Sequence, residues 1–254
     1  VVRPSRLRRY GPTVGTMEVD SANVPTARTI TVEVWSDVVC PWCYIGKRRF
    51  AAGVEQATEQ LAADGVEFTV DVSYHAYQLD PTAAPGVSGP VVDAYAKKFG
   101  GHERAEAILA NVTATAADVG LEFNMDRALR ANTLLAHRVI WLAAQPDSPV
   151  AQDVVKERLL RAYFTDGLDI GDPEVLAECA AEVGFERAEV IDFLDSERGT
   201  NEVAGDLQFA HQNGITAVPT YVIDGKWAIP GAQEPGTFAR VLHKMAVQPN
   251  GSGS

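Results

Sequence analysis

Three cysteines in 254 residues are too few and too unevenly placed for a scaffold of structural disulfides, so Cys40, Cys43 and Cys179 each need their own explanation. Long apolar runs are missing as well: the longest stretches, residues 30–35 and 218–223, fall far short of the roughly 20 residues a membrane-spanning helix needs. Positive charge is the minority sign. With 22 Lys and Arg against 34 Asp and Glu, the net charge is −12, and attraction to nucleic acid or an anionic membrane surface is not expected. No apolar stretch follows the early Arg3, Arg6, Arg8 and Arg9, as a secretory leader would require, and the expected location is the cytoplasm. The arginine-rich start has a faint likeness to an organellar transit peptide. The plainer expectation is a flexible extension over residues 1–28, with Met17 as a candidate start of the native chain. No internal repeat is present.

What the chain does have is 46% hydrophobic residues, enough for one large core or a compact domain with a sizeable insertion. Residues 30–35 are β-branched and aromatic and end in the polar Ser36-Asp37, which predicts a strand. Residues 41–63 place Ile45, Phe50, Val54 and Leu61 near helical spacing, with Pro41 suited to a first helical turn. Val66, Phe68, Val70 and Val72 alternate with more polar neighbours, as a half-buried strand does. A Pro- and Gly-rich connection over residues 80–90 then marks a boundary. From there to about Asn213 the chain is rich in Ala, Leu, Glu and Arg, and several helices are expected, one starting at an Asp172 cap with Pro173. Asp224-Gly225 between two β-rich runs predicts a hairpin with a two-residue turn and a second strand over residues 226–229. A closing helix is expected over residues 237–245.

This order, β-α-β, a helical block, then β-β-α, is the thioredoxin topology with a large all-helical insertion in an α/β fold. The expected divisions are residues 29–78 for the first half, 79–213 for the insertion, 214–246 for the second half, and 247–254 as a flexible tail.

Cys40 and Cys43 stand at the junction of the first strand and the first helix. The thiolate is the reactive form of cysteine, and a helix N-terminus offers partial positive charge and free N–H groups that stabilise it. The spacing of three puts the second sulfur on the same helix face, near enough to close a disulfide. Cys40 is expected as the exposed nucleophile, and Cys43, one turn deeper, as the thiol that resolves the mixed disulfide. Half a zinc site or two ordinary buried thiols are the other readings of such a pair; no second Cys-x-x-Cys exists to complete a zinc site, and no metal is expected. Pro219 opens the strand at residues 218–223, where proline is tolerated as plain edge punctuation.

The chain resembles the DsbA-like branch of the thioredoxin superfamily, and most closely its FrnE-type subfamily. The residues that carry the resemblance are Val34-Trp-Ser-Asp-Val-Val-Cys-Pro-Trp-Cys-Tyr-Ile-Gly46, Asn132-Thr133 with His137-Arg138, Tyr163-Phe164, and Gly214-Ile-Thr-Ala-Val-Pro-Thr220. The resemblance implies redox-active Cys40 and Cys43, a cis-proline at Pro219, and a Val218 backbone free to pair with an extended substrate. Pro41, Trp42, Val218 and Pro219 are thus the expected substrate-binding residues. Relatives in this family include hydroxychromene-carboxylate isomerases and kappa-class glutathione transferases, which typically carry serine at the position of Cys40. Two retained cysteines favour dithiol chemistry. Export-pathway DsbA enzymes have histidine where Trp42 stands, and an indole cannot carry positive charge, so weaker thiolate stabilisation is expected.

Other residues hold weaker expectations. Glu33 is near the place of the buried acid of thioredoxins, one residue out of register, or is a solvent-facing charge. His137 and Arg138 either bind an anionic substrate group, such as a glutathione carboxylate, or form a helix cap and surface ion pairs. His75 is expected to be structural. Tyr163 and Phe164 line an apolar groove or pack in the core, and Cys179 is a small buried hydrophobe. The leading function is a thiol-disulfide oxidoreductase acting on protein or small-thiol substrates, with no cofactor and with glutathione as a candidate co-substrate. A glutathione-dependent isomerase or transferase and a redox-switched chaperone-like binding protein are the alternatives.

Overall fold

The computed structural model describes residues 28–247. The expected extension and tail lie outside the described residues, apart from Arg28 and Val247. The first half comprises β1 (Arg28–Ser36), α1 (Pro41–Ala63) and β2 (Phe68–Ala76). The insertion follows with β3 (Gly89–Pro90), α2 (Val91–Phe99), α3 (His102–Ala117), β4 (Leu129–Arg130), α4 (Leu134–Ala143) and α5 (Gln152–Arg161). A π-helical turn (Ala162–Asp166), α6 (Pro173–Glu182), α7 (Arg187–Asp195) and α8 (Thr200–Gln212) complete it. The chain then returns as β5 (Thr220–Ile223), β6 (Trp227–Pro230) and α9 (Pro235–Val247). The predominantly helical insertion therefore also carries one short antiparallel pairing, β3 with β4.

The main sheet has the order β2-β1-β5-β6, with β1 and β2 parallel and the other pairings antiparallel. Ile30, Val32 and Val34 alternate onto one face of β1, where α1 and α9 cover them. Phe50 of α1, Tyr221 of β5 and Phe238 of α9 meet there with ring centroids 4.8 to 5.2 Å apart, each pair worth about 1 kcal/mol beyond its buried area. Gly53 lets the two helices touch, because a Cβ there would lie 2.6 Å from the Phe238 Cβ. Trp35 points to the other face, stacked between His75 of β2 and Phe209 of α8.

The hairpin differs from its expected form. Asp224 and Gly225 both have positive φ, but Ile223 pairs with Trp227, and Lys226 falls in a three-residue loop rather than in the strand. Asp224 is anchored to β1 through Arg28 and the Thr31 amide, each at 3.0 Å, which fixes the loop against the first strand. At α6 the expected cap is present: the Glu174 amide donates to Asp172, and Pro173 follows it.

A second core fills the insertion, and the thioredoxin half contributes Val38, Tyr44 and Ile45 to it. The junction is also polar. Tyr44 donates to Glu157 at 2.7 Å, Arg48 pairs with Glu157, and Lys47 bridges Asp153 and Glu157 at about 3 Å, so the basic run of α1 is knitted to the acids of α5. Gln152 closes the edge of β2 by exchanging two hydrogen bonds with the Tyr74 backbone.

Candidate active site

Cys40 is the N-cap residue of α1, with extended φ and ψ of −88° and 113°, and Pro41 occupies the first turn. The Cys40 side chain makes no capping bond. Its thiol instead approaches the Val218 carbonyl at 3.6 Å, across from a Val218–Pro219 peptide bond that is cis. The Pro219 carbonyl accepts from the Gly231 amide, which ties this loop to the end of β6.

Depth does not separate the two thiols. Cys40 and Cys43 are 3% and 4% exposed, so the exposed nucleophile expected at Cys40 is not found. The reason is local packing: Trp35, Ala210 and Val218 form a small apolar cluster around both sulfurs, with Tyr77 and Ile215 against it. The exposed member of the motif is Trp42, at 41%. What separates the thiols is electrostatics. Burial raises the Cys43 pKa well above the ordinary thiol value, and donation to Cys40 and the charge of Cys40 raise it further. Lys156 and the Asp37 main chain act in the opposite direction. Burial and the neighbouring Cys40 therefore favour the protonated form of Cys43.

The buried acid beside this pair is Asp37, not Glu33. Glu33 is partly exposed on the Trp35 face of β1, 3.5 Å from His75, whose other ring nitrogen meets Asp206 at 2.9 Å; His75 is structural. Asp37, three residues before Cys40, is fully buried. One carboxylate oxygen accepts from the Leu79 amide at 2.8 Å, and the other faces the His137 Nε2 at 3.2 Å. The same Nε2 lies 3.0 Å from the Tyr77 carbonyl. Both neighbours are acceptors, so Nε2 must carry a proton in this arrangement.

Arg138 keeps the helix-capping half of the expectation and departs from the surface ion pair. It is buried and binds no exposed acid; its guanidinium donates to the carbonyls of Phe193, Leu194, Ser196 and Arg198, where α7 ends. It therefore closes a helix end rather than holding a surface ion pair or an anionic ligand. Tyr163 and Phe164 are core residues, although Tyr163 also reaches the wall of a cavity of about 870 Å³. This cavity opens beside Val39, next to Cys40, and runs along Leu79, Tyr95, Phe99 and Lys98. Burial and the nearby Cys40 push the Tyr95 pKa up to about 12. Cys179 is buried in α6, its thiol pushed up to about 11 first by burial, as suits a packing residue.

Lys156 was not anticipated. It stands on α5, is 1% exposed, and its Nζ has no hydrogen-bond partner among the described residues. The one hint in the sequence is the stripe Val155, Leu159, Leu160 and Tyr163, since helical spacing puts Lys156 on the same face as Leu159 and Leu160.

Comparison with known proteins agrees with this geometry. A family model described as the DSBA-like thioredoxin domain matches residues 31–243. A Bacillus subtilis (strain 168) protein called Uncharacterized protein YwbO is 26% identical over 216 residues, covering 84% of this chain and 96% of that protein. The crystal structure of a probable DsbA oxidoreductase, SCO1869 from Streptomyces coelicolor, is 30% identical and superposes with a TM-score of 0.76, over 89% of this chain and 93% of that one. The cytosolic disulfide reductase DsbM from Pseudomonas aeruginosa, solved with GSH, shares the fold at 19% identity and a TM-score of 0.57, over 85% of this chain and 98% of its own. With the family model spanning both halves of the sheet and the helical block between them, the chain belongs to the DsbA-like thioredoxin-domain family.

Proposed function

We propose that this protein is a thiol-disulfide oxidoreductase working through the Cys-Pro-Trp-Cys dithiol. The observation that carries this reading is the shared environment of Cys40 and Cys43: two free thiols at a helix N-terminus, Cys43 held protonated first by burial and then by Cys40, with the Cys40 thiol 3.6 Å from the Val218 carbonyl. In the reducing direction the Cys40 thiolate attacks one sulfur of a substrate disulfide, and the first substrate thiolate leaves. Cys43 then loses its proton and attacks the Cys40 sulfur, the mixed disulfide breaks, and the second substrate thiolate departs. The substrate gains two electrons and the Cys40–Cys43 disulfide holds the oxidation. Trp42 offers an apolar platform at the mouth, while Pro41, Val218 and Pro219 shape the wall a substrate chain would follow.

The cavity beside Val39 has Lys98 at its side among apolar and aromatic walls, and that cation suits a carboxylate of glutathione as a small-thiol partner. We assign the reaction to the cytoplasm, on the sparse cysteine usage. The test is equilibration with glutathione buffers, read by mass spectrometry of alkylated thiols and by Trp42 fluorescence. The expected result is one intramolecular disulfide between Cys40 and Cys43. Cys43→Ser should trap mixed disulfides and stop turnover; continued turnover would favour the one-thiol, glutathione-dependent isomerase instead. Binding of unfolded clients by a Cys40→Ser, Cys43→Ser protein, without turnover, would favour the chaperone-like reading.

A further inference from the structure

The resolving step creates an electrostatic problem inside the protein. Asp37 is fully buried next to the dithiol, and when Cys43 gives up its proton a second negative charge appears in the same dry region. Trp42 contributes no charge. Arg138, a buried cation, has its guanidinium bound to the carbonyls at the end of α7. Lys47 is bound to Asp153 and Glu157 at the rim. Lys156 is different: it is as buried as the thiols, its ammonium has no hydrogen-bond partner among the described residues, and it lies 5.7 Å from the centre of the Tyr74 ring.

We propose that Lys156 is a positioning residue of the dithiol, its ammonium serving as the buried counter-charge for the thiolate that forms at Cys43 as the mixed disulfide on Cys40 is resolved. This rests on the oxidoreductase reading above. An unpaired buried ammonium is unfavourable to folding, and a charge held in such a place points to a use in the chemistry. Burial lowers the pKa of Lys156, while Cys43, Asp37 and Cys40, in that order, hold it up; with Cys40 tied up in the mixed disulfide, Cys43 and Asp37 are the anions left for the resolving step to balance. The charged surroundings are accounted for on each side. Lys47 of α1 opposes Lys156. His137 of α4 is engaged by Asp37 and the Tyr77 carbonyl. On β2, Tyr74 presents its ring and donates its hydroxyl to Asp153 at 2.6 Å, and Glu157 on α5 is engaged by Tyr44 and Arg48. The insertion thus supplies a buried cation whose charge acts on Cys43 and Cys40, where the motif itself supplies none.

The step can be isolated by adding dithiobis(nitrobenzoate), an aromatic disulfide, to the reduced full-length protein. The first coloured thiolate is released when Cys40 attacks, and the second when Cys43 resolves the Cys40 mixed disulfide. At neutral pH, Lys156→Met and Lys156→Gln should slow the second release by about tenfold and move its pH midpoint up by about one pH unit, a tenfold change in thiolate fraction corresponding to one unit. Lys156→Arg should recover much of the rate. Neutral variants that fold and release the second thiolate at the wild-type rate and midpoint would overturn the inference. Failure of both neutral variants to fold, with the arginine variant folded, would overturn it too, by assigning the lysine to the fold. A wild-type protein that never releases the second thiolate would sink the dithiol reading itself, which separates that failure from failure of the lysine's role.

Discussion

The imidazole of His137, carried by the first turn of α4, meets the carboxylate of Asp37 at 3.2 Å with both side chains almost fully buried. One residue belongs to the insertion and the other to the loop that leads into Cys40. The contact fixes the approach to the nucleophile from outside the thioredoxin half. His137→Ala would leave a buried carboxylate oxygen without its donor, and a loss of about 3 kcal/mol is expected from denaturant unfolding. His137→Gln, which can still offer an N–H, should retain part of the stability; equal losses in both variants would show that ring packing, not the hydrogen bond, matters.

Arg138 yields a contrasting prediction. Its fork closes the end of α7 through four carbonyls, and Arg138→Lys removes the planar geometry while keeping the charge. Stability should fall by about 2 kcal/mol. The KM for glutathione should stay unchanged in the folded variant. A large rise in KM with unchanged stability would restore the role of anion binder.

Lys156→Met is expected to stabilise the protein, by about 1–4 kcal/mol, since it replaces a buried charge with an apolar side chain of similar length. The pH dependence has a defined sign. The folded-state pKa of Lys156 lies below the ordinary 10.5, so the unfolded chain binds the extra proton and the wild-type deficit is full below the folded value. The advantage of the methionine variant should shrink as pH rises from that lowered value towards 10.5 and vanish above it. Thermal unfolding of the disulfide form across this range, with no titrating dithiol present, measures it; an advantage independent of pH would show that the lysine is not a buried charge.

Gly46 tests how closely the helix must approach the proline loop. A Cβ there would stand 2.8 Å from the Tyr221 hydroxyl and 3.0 Å from Pro219 Cγ. Gly46→Ala should force the loop away from the thiols, at a cost of about 1–3 kcal/mol. Slower thiol exchange, with Cys40 and Cys43 both intact by alkylation, is the expected companion of that loss.

The frame of this molecule was legible from residue pattern because its signals are local. Alternation in β1 and β2, the Asp172 cap and the Asp-Gly turn each act within a few residues. Lys226 was misplaced because the pairing register of the hairpin depends on how Asp224 is held by β1, a contact across nearly the whole chain. The motif located the two thiols but not their burial, which Val218 and Ala210 impose from far along the sequence. Asp37 read as the polar end of a strand, and only the arrival of His137 and the Leu79 amide makes it a buried acid. A lysine within an apolar stripe commonly extends its amine to solvent, so the pattern around Lys156 could not decide its depth. Nor could adjacency group His137 with Arg138: successive residues on a helix point about 100° apart, and the two serve different neighbours.

Val38, Tyr44 and Ile45, which flank the thiols, are core residues of the helical block. The inserted block is consequently not a cassette that could be cut out to leave a working miniature thioredoxin. Removing it would strip one wall from the redox site and bare the apolar underside of α1, so evolution can reshape this block only by keeping the surface on which the dithiol rests.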